Sequence, residues 1–184
     1  MNKDIKHILP IIPNEFKKKK YYTGIGSREI SNEYILIMNK IAKILAQLNY
    51  ILRSGGAKGS DKAFENGCDF INSELKEIFY PNDATEESMN IARKYHKGWF
   101  HCTEYAKKLH GRNVFQVLGK NLKTPSEFVI CYTKDGCINH NDRTKLTGGS
   151  GTAISVASKY KIPIINLSID EHYKQVNDWF KNFP

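Results

Sequence analysis

Three glycine-rich stretches combine small residues, hydroxyls and cations at close spacing: Gly24-Ile25-Gly26-Ser27-Arg28, Ser54-Gly55-Gly56-Ala57-Lys58-Gly59-Ser60-Asp61, and Thr147-Gly148-Gly149-Ser150-Gly151-Thr152. Glycine lets a backbone approach a bound group closely. A helix that opens on such a loop offers unpaired N–H groups and a partial positive charge. Together these are the elements of a phosphate site. The hydroxyls of Ser27, Ser54, Ser150 and Thr152 can add hydrogen bonds, and Arg28 can grip an oxyanion with two parallel N–H donors. A single glycine turn would be only a turn; three following strands or opening helices point to a shared ligand.

Two well-known phosphate motifs are excluded by spacing. Gly55, Gly56 and Gly59 do not fit Gly-x4-Gly-Lys-Ser/Thr, which argues against ATPase chemistry, and Glu29 stands where the dinucleotide fingerprint needs its third glycine. Asp61 falls in the first turn after the second loop, placed for a ribose hydroxyl or for the helix dipole. Arg112 and Asn113 sit among apolar neighbours in a helical stretch and are read as facing the same edge, with Thr133 after the fourth strand completing the set. The expected ligand-binding residues are therefore Gly24, Gly26, Ser27, Arg28, Ser54, Gly55, Gly56, Ala57, Gly59, Asp61, Arg112, Asn113, Thr133, Gly148, Gly149, Ser150, Gly151 and Thr152.

The elements that must hold these loops follow from periodicity. Apolar runs predict strands at 21–26, 50–54, 77–80, 127–132 and 163–167. Between them lie helical patterns, clearest in Tyr34, Ile37, Met38, Ile41, Leu45 and Leu48. Ser31 is the expected N-cap of that helix and Asn49 its end. A second helix runs from Ser60 toward Phe70, a mostly helical stretch from Glu86 to Leu122 breaks near Lys97-Gly98, and a last helix carries Trp179 and Phe180. Alternation of this kind predicts an α/β fold: a Rossmann-like three-layer sandwich around a mainly five-stranded parallel sheet. All three loops then emerge at the carboxyl edge of the sheet. A polar loop of about fifteen residues, 133–147, is long enough to be functional. Residues 1–19 are expected to be a lead-in and 20–184 a single domain.

Composition narrows the class. The chain has 184 residues, 40% hydrophobic and 26% charged, and a net charge of +9. That balance fits a globular domain, and the excess of cations favours polyanionic partners. Lys17 to Lys20 form one basic run. No apolar stretch reaches membrane length and none resembles a signal peptide, so no membrane partner and a cytoplasmic location, bacterial or phage-infected host, are expected. The four cysteines, Cys68, Cys102, Cys131 and Cys137, make no Cys-x-x-Cys pair. Cys137, His140 and Asp142 share a loop, but no second ligand pair accompanies them. No metal and no resident cofactor are expected. His96, His101 and His110 are read as surface or packing residues, Trp99 and Phe100 as a core anchor with base stacking as the alternative.

The ordered set Gly26-Ser27-Arg28, Ser54-Gly55-Gly56-Ala57-Lys58-Gly59-Ser60-Asp61-Lys62-Ala63, Phe79-Tyr80-Pro81, Arg112-Asn113 and Gly148-Gly149-Ser150-Gly151-Thr152-Ala153 resembles the SLOG superfamily. That superfamily joins the DNA-processing protein A (DprA, or Smf) proteins and the Lonely Guy phosphoribohydrolases. The resemblance spans roughly residues 21–167 and is closest to single-domain DprA-like proteins often encoded by bacteriophages. It implies a Rossmann-like fold, a nucleotide or single-stranded DNA site at these loops, and a homodimer as a common assembly. Lonely Guy enzymes carry an acidic residue before the catalytic arginine and others after the last glycine loop. Here Gly111 precedes Arg112, and Ile154 and Ser155 follow Ala153. The carboxylates for N-glycosidic cleavage are missing from those positions, which favours binding over hydrolysis; Asp61 or Glu104 could still supply one. Three readings result. The first is a protein that sequesters or senses a phosphorylated nucleotide or ADP-ribose-like ligand. The alternatives are a DprA-like single-stranded DNA-binding recombination mediator and a nucleotide N-glycosidase.

Overall fold

The structure, a computed structural model, describes residue 9 and residues 19–183. Five strands, β1 (Lys20–Gly26), β2 (Tyr50–Ser54), β3 (Lys76–Ile78), β4 (Phe128–Tyr132) and β5 (Ile164–Asn166), form one sheet in the order β3-β2-β1-β4-β5. Every pairing is parallel. The third and fifth strands are shorter than the apolar runs predict: Pro81, in a 3-10 turn at Pro81–Asp83, blocks extension of one, and Pro163 precedes the other.

Side chains alternate across the sheet, so each strand feeds two cores. On one face Tyr22, Leu52, Phe128, Ile130 and Ile165 meet α1 (Asn32–Gln47), α2 (Ser60–Ile71) and α6 (Asp170–Phe180). On the other, Ile25, Val129 and Cys131 meet α3 (Glu86–Arg93), α4 (Glu104–Leu118) and α5 (Gly151–Lys159). This is the expected three-layer α/β sandwich. The Tyr22 ring lies 6.3 Å from Phe64 and 6.0 Å from Phe128. Burial of side chains of this size contributes about 1.5–3 kcal/mol each.

Local details depart from the sequence reading in a few places. Ser31 occupies the N-cap position of α1, but its side chain makes no capping hydrogen bond. Asn49, with φ 57°, turns the chain after α1 as expected. The 133–147 loop contains a 3-10 turn at His140–Asp142, and a second one, Lys145–Ser150, spans the third glycine loop. Helix α5 therefore begins at Gly151, because Gly148 (φ 63°, ψ −151°) interrupts the helical path. Of the lead-in, Leu9 is buried and belongs to the core cluster on the α1, α2 and α6 face of the sheet. Lys19 and Lys20 are described; Lys17 and Lys18 lie outside the described residues. Among the described residues no helix is long and apolar enough to cross a membrane.

Candidate functional site

The sheet order reverses at β1, whose neighbours β2 and β4 run to opposite edges. Loops leaving the carboxyl ends of strands diverge at such a point and leave a crevice. Here that crevice is a cleft of about 550 Å³.

The first two loops are bolted together beneath it. The Ser60 backbone N–H and Oγ both donate to the Ser27 carbonyl, each at 3.0 Å. Gly59 has φ 78°, and a Cβ there would fall 2.5 Å from the Arg28 carbonyl oxygen. Only glycine combines that left-handed backbone with that contact. The Ser27 N–H donates to the Tyr132 carbonyl at 3.0 Å, tying the first loop to β4.

Above them lies a buried ion pair. Asp61 Oδ2 accepts from the Gly55 N–H at 3.2 Å and the Ala57 N–H at 3.4 Å, and Arg112 Nη1 stands 4.0 Å away. Both side chains are less than a tenth exposed. Burial pushes the Asp61 carboxyl up to about 6, although Arg112 and the two N–H donors pull the other way. Burial also lowers Arg112 from its ordinary value, with Asp61 opposing. The Gln116 carboxamide satisfies its surroundings in one orientation: Oε1 accepts from Arg112 Nη1 (2.5 Å) and the Gly55 N–H (2.9 Å), and Nε2 donates to Asn113 Oδ1 (3.2 Å). Arg112 Nε is a buried donor with no partner. Gly55 exists to admit this arginine: a Cβ there would lie 1.6 Å from Arg112 Nη1.

The third loop closes the cleft from the far side. Asn113 Nδ2 donates to the Gly149 carbonyl at 2.9 Å, pinning the loop to α4. Asp135 accepts from Thr144 Oγ1 at 2.6 Å and Thr147 Oγ1 at 2.5 Å. Burial raises Asp135, but the hydroxyls of Thr144, Thr147 and Thr133 and the Cys137 N–H outweigh it, so its pKa falls. The long polar loop is thus tied down by its own side chains. An added Cβ at Gly148 or Gly149 would meet nothing within 4 Å, so both stand open.

Of the residues expected from sequence, Gly26, Ser27, Arg28, Ala57, Asp61, Arg112, Asn113, Gly148, Gly149 and Ser150 line this cleft. The others stand behind its wall. Gly24 packs under Phe64 and Leu52. Ser54 Oγ donates to the Gly24 carbonyl at 2.7 Å. Gly56, with φ 65°, faces Tyr80 and Ile78, and Gly55 and Gly59 serve as described above. Thr133 Oγ1 accepts from Asn166 Nδ2 at 2.7 Å, Gly151 backs onto the Arg143 guanidinium, and Thr152 Oγ1 lies 2.9 Å from His110 Nδ1.

Several lining residues escaped the sequence reading. Ala106, Leu109, His110 and Gln116 line the cleft from α4. They share a face with Arg112 and Asn113, and stepping three and four residues along the helix from Arg112 would have found most of them. Glu29, Lys134, Lys145, Leu146 and Thr147 line it from irregular segments that carry no periodic signal. Four cationic side chains, Arg28, Arg112, Lys134 and Lys145, face two carboxylates, Glu29 and Asp61. Glu104 is absent from the lining; it is exposed and paired with Lys107 at 2.6 Å. Cys137 and His140 have other partners: Cys137 Sγ donates to the Asn139 carbonyl at 3.2 Å, and His140 Nδ1 lies 2.9 Å from Ser155 Oγ.

Compared with protein-family models, with curated proteins and with solved structures, the chain matches none.

Proposed function

We propose that the cleft holds a small phosphorylated nucleotide or ADP-ribose-like molecule, which the protein sequesters or senses. The observation that carries this reading is the convergence of three glycine loops on one cleft at the switch point of the sheet. Its 550 Å³ falls within the range of about 300–1,000 Å³ usual for small-molecule sites. The open backbone at Gly148-Gly149 and the cations Arg28 and Arg112 suit the phosphate, and Asp61 suits a sugar hydroxyl. The resemblance of the five ordered motifs to the SLOG superfamily supports the same ligand class. Of the two carboxylates that line the cleft, Asp61 is engaged by Arg112 and two backbone donors and Glu29 is paired with Lys134 at 3.4 Å, which supports binding rather than hydrolysis.

A second reading, single-stranded DNA binding, is favoured by the +9 charge and by the exposure of Phe100, Tyr105 and Tyr80, available for base stacking. Salt separates the two. A compact pocket makes a few partly desolvated contacts that salt screens poorly. A strand tracked by many lysines loses about 10³–10⁵ in affinity between 50 and 200 mM salt when 6–10 phosphates are contacted. Calorimetric titration with a nucleotide panel, including ADP-ribose, and with an oligonucleotide is expected to show nucleotide binding that changes by less than about tenfold over this range. Replacing Lys17, Lys18, Lys19 and Lys20 by Ala leaves that binding nearly unchanged. Tight oligonucleotide binding lost with those lysines, and no nucleotide binding, would put the DNA reading in its place.

A further inference from the structure

We propose that His96, Cys102 and His110 form a zinc-binding site in the outer wall of the cleft. The sequence gives no hint of it, since the three residues follow no familiar ligand spacing. The fold brings them together. His96 lies in the turn after α3, Cys102 follows the 3-10 turn Trp99–His101, and His110 projects from α4. Their ligand atoms all lie within 4.8 Å of one another. Cys102 Sγ is 3.9 Å from His96 Nδ1, and the two imidazole centroids are 4.1 Å apart. Bond lengths of about 2.0–2.3 Å to zinc place tetrahedral ligand atoms about 3.5 Å apart, so the widest separation closes by about 1 Å through side-chain rotation.

The chemistry of the donors selects the ion. Two imidazoles and one thiolate suit a borderline-soft cation such as zinc, whereas magnesium and calcium demand oxygen. Three protein ligands leave a fourth position for water or for a group entering the cleft, which His110 also lines. The contact of His110 Nδ1 with Thr152 Oγ1 is the kind of outer hydrogen bond that fixes the orientation of a ligating imidazole. Arg112 and Arg143 stand close enough to His110 to oppose a cation, and a thiolate ligand at Cys102 would supply the compensating charge.

The test uses the full chain stripped of metal and reads metal alone, so it stands or falls apart from nucleotide binding. Zinc is titrated in competition with a chromophoric chelator, and cobalt(II) is added as a spectroscopic probe. One zinc per chain is expected, with a thiolate-to-cobalt charge-transfer band in the near ultraviolet. Cys68, Cys131 and Cys137 are buried, so the band reports on Cys102. Cys102→Ser, which changes a single atom, abolishes the band and weakens zinc by more than the about 10–100-fold that loss of an outer-shell partner costs. His110→Ala weakens it likewise, whereas His101→Ala, on an exposed neighbour, leaves it unchanged. Circular dichroism melts verify that each variant is folded. Failure of the parent to bind zinc stoichiometrically, or equal affinity in Cys102→Ser, would overturn the site.

Discussion

Gly149→Asp is expected to abolish nucleotide binding while leaving the fold intact. Both halves follow from the position of this residue. Its Cβ would enter open space, with nothing within 4 Å, and the hydrogen bond it makes to Asn113 uses its backbone carbonyl, which the substitution keeps. Exposed positions of this kind change stability by about 0.5 kcal/mol or less. The new carboxylate would stand where the third loop offers its backbone to phosphate. Two like charges about 4 Å apart at a protein surface repel by about 4 kcal/mol. That corresponds to roughly a 10³-fold loss of affinity. Titration of the variant with the nucleotide that the parent binds, beside urea unfolding of both, checks it. Unchanged affinity in a folded variant would remove the third loop from the site.

Asp61→Asn is expected to match the parent in stability near pH 4 and to exceed it above pH 7, by about 2–3 kcal/mol. Burial lifts the carboxyl of Asp61 from 3.8 to about 6 in the folded chain. Between those values the native state holds a proton that the unfolded chain has released. The contribution of this group to stability is therefore full below about pH 4 and is lost as pH rises through about 6. Asparagine keeps the shape and an oxygen for the Gly55 and Ala57 donors but cannot ionise, so it escapes that loss. The difference between the two proteins cancels every other titrating group they share. Urea unfolding at pH 4, 5, 6 and 7.5 reads it directly. A parent that is the more stable at pH 7.5 would mean that the pair with Arg112 is net stabilising and that the carboxylate serves the fold. The expected result marks Asp61 as a group kept in the cleft against stability, as functional carboxylates often are.

The architecture was legible because its signals are local. The runs around Tyr22, Leu52 and Ile130 are apolar enough to be buried on both faces, and the α1 stripe repeats at helical spacing for four turns. Glycines placed directly after strands marked the loops. What stayed hidden depends on contacts between distant parts of the chain. Nothing near Asp61 announces that Arg112 lies against it, or that Gly55 is small because a guanidinium occupies its side-chain space. The third loop looked like a plain helix start, yet the left-handed turn at Gly148 delays α5 to Gly151. Asp135 gave no signal at all, since its role is to gather threonine hydroxyls from its own loop. His96 and His110 lie on separate elements, and the packing of α3 against α4 brings their rings together, a contact that no local signal announces.

The most direct measurement is a high-resolution crystal structure of the full chain purified from cells and supplied with the best-binding nucleotide. The expected result is ligand density in the cleft, with phosphate oxygens about 2.7–3.2 Å from backbone N–H groups of residues 148–150 and within reach of Arg28 or Arg112. A cleft holding only solvent, in a protein whose oligonucleotide complex runs instead over Phe100 and the surface lysines, would contradict it.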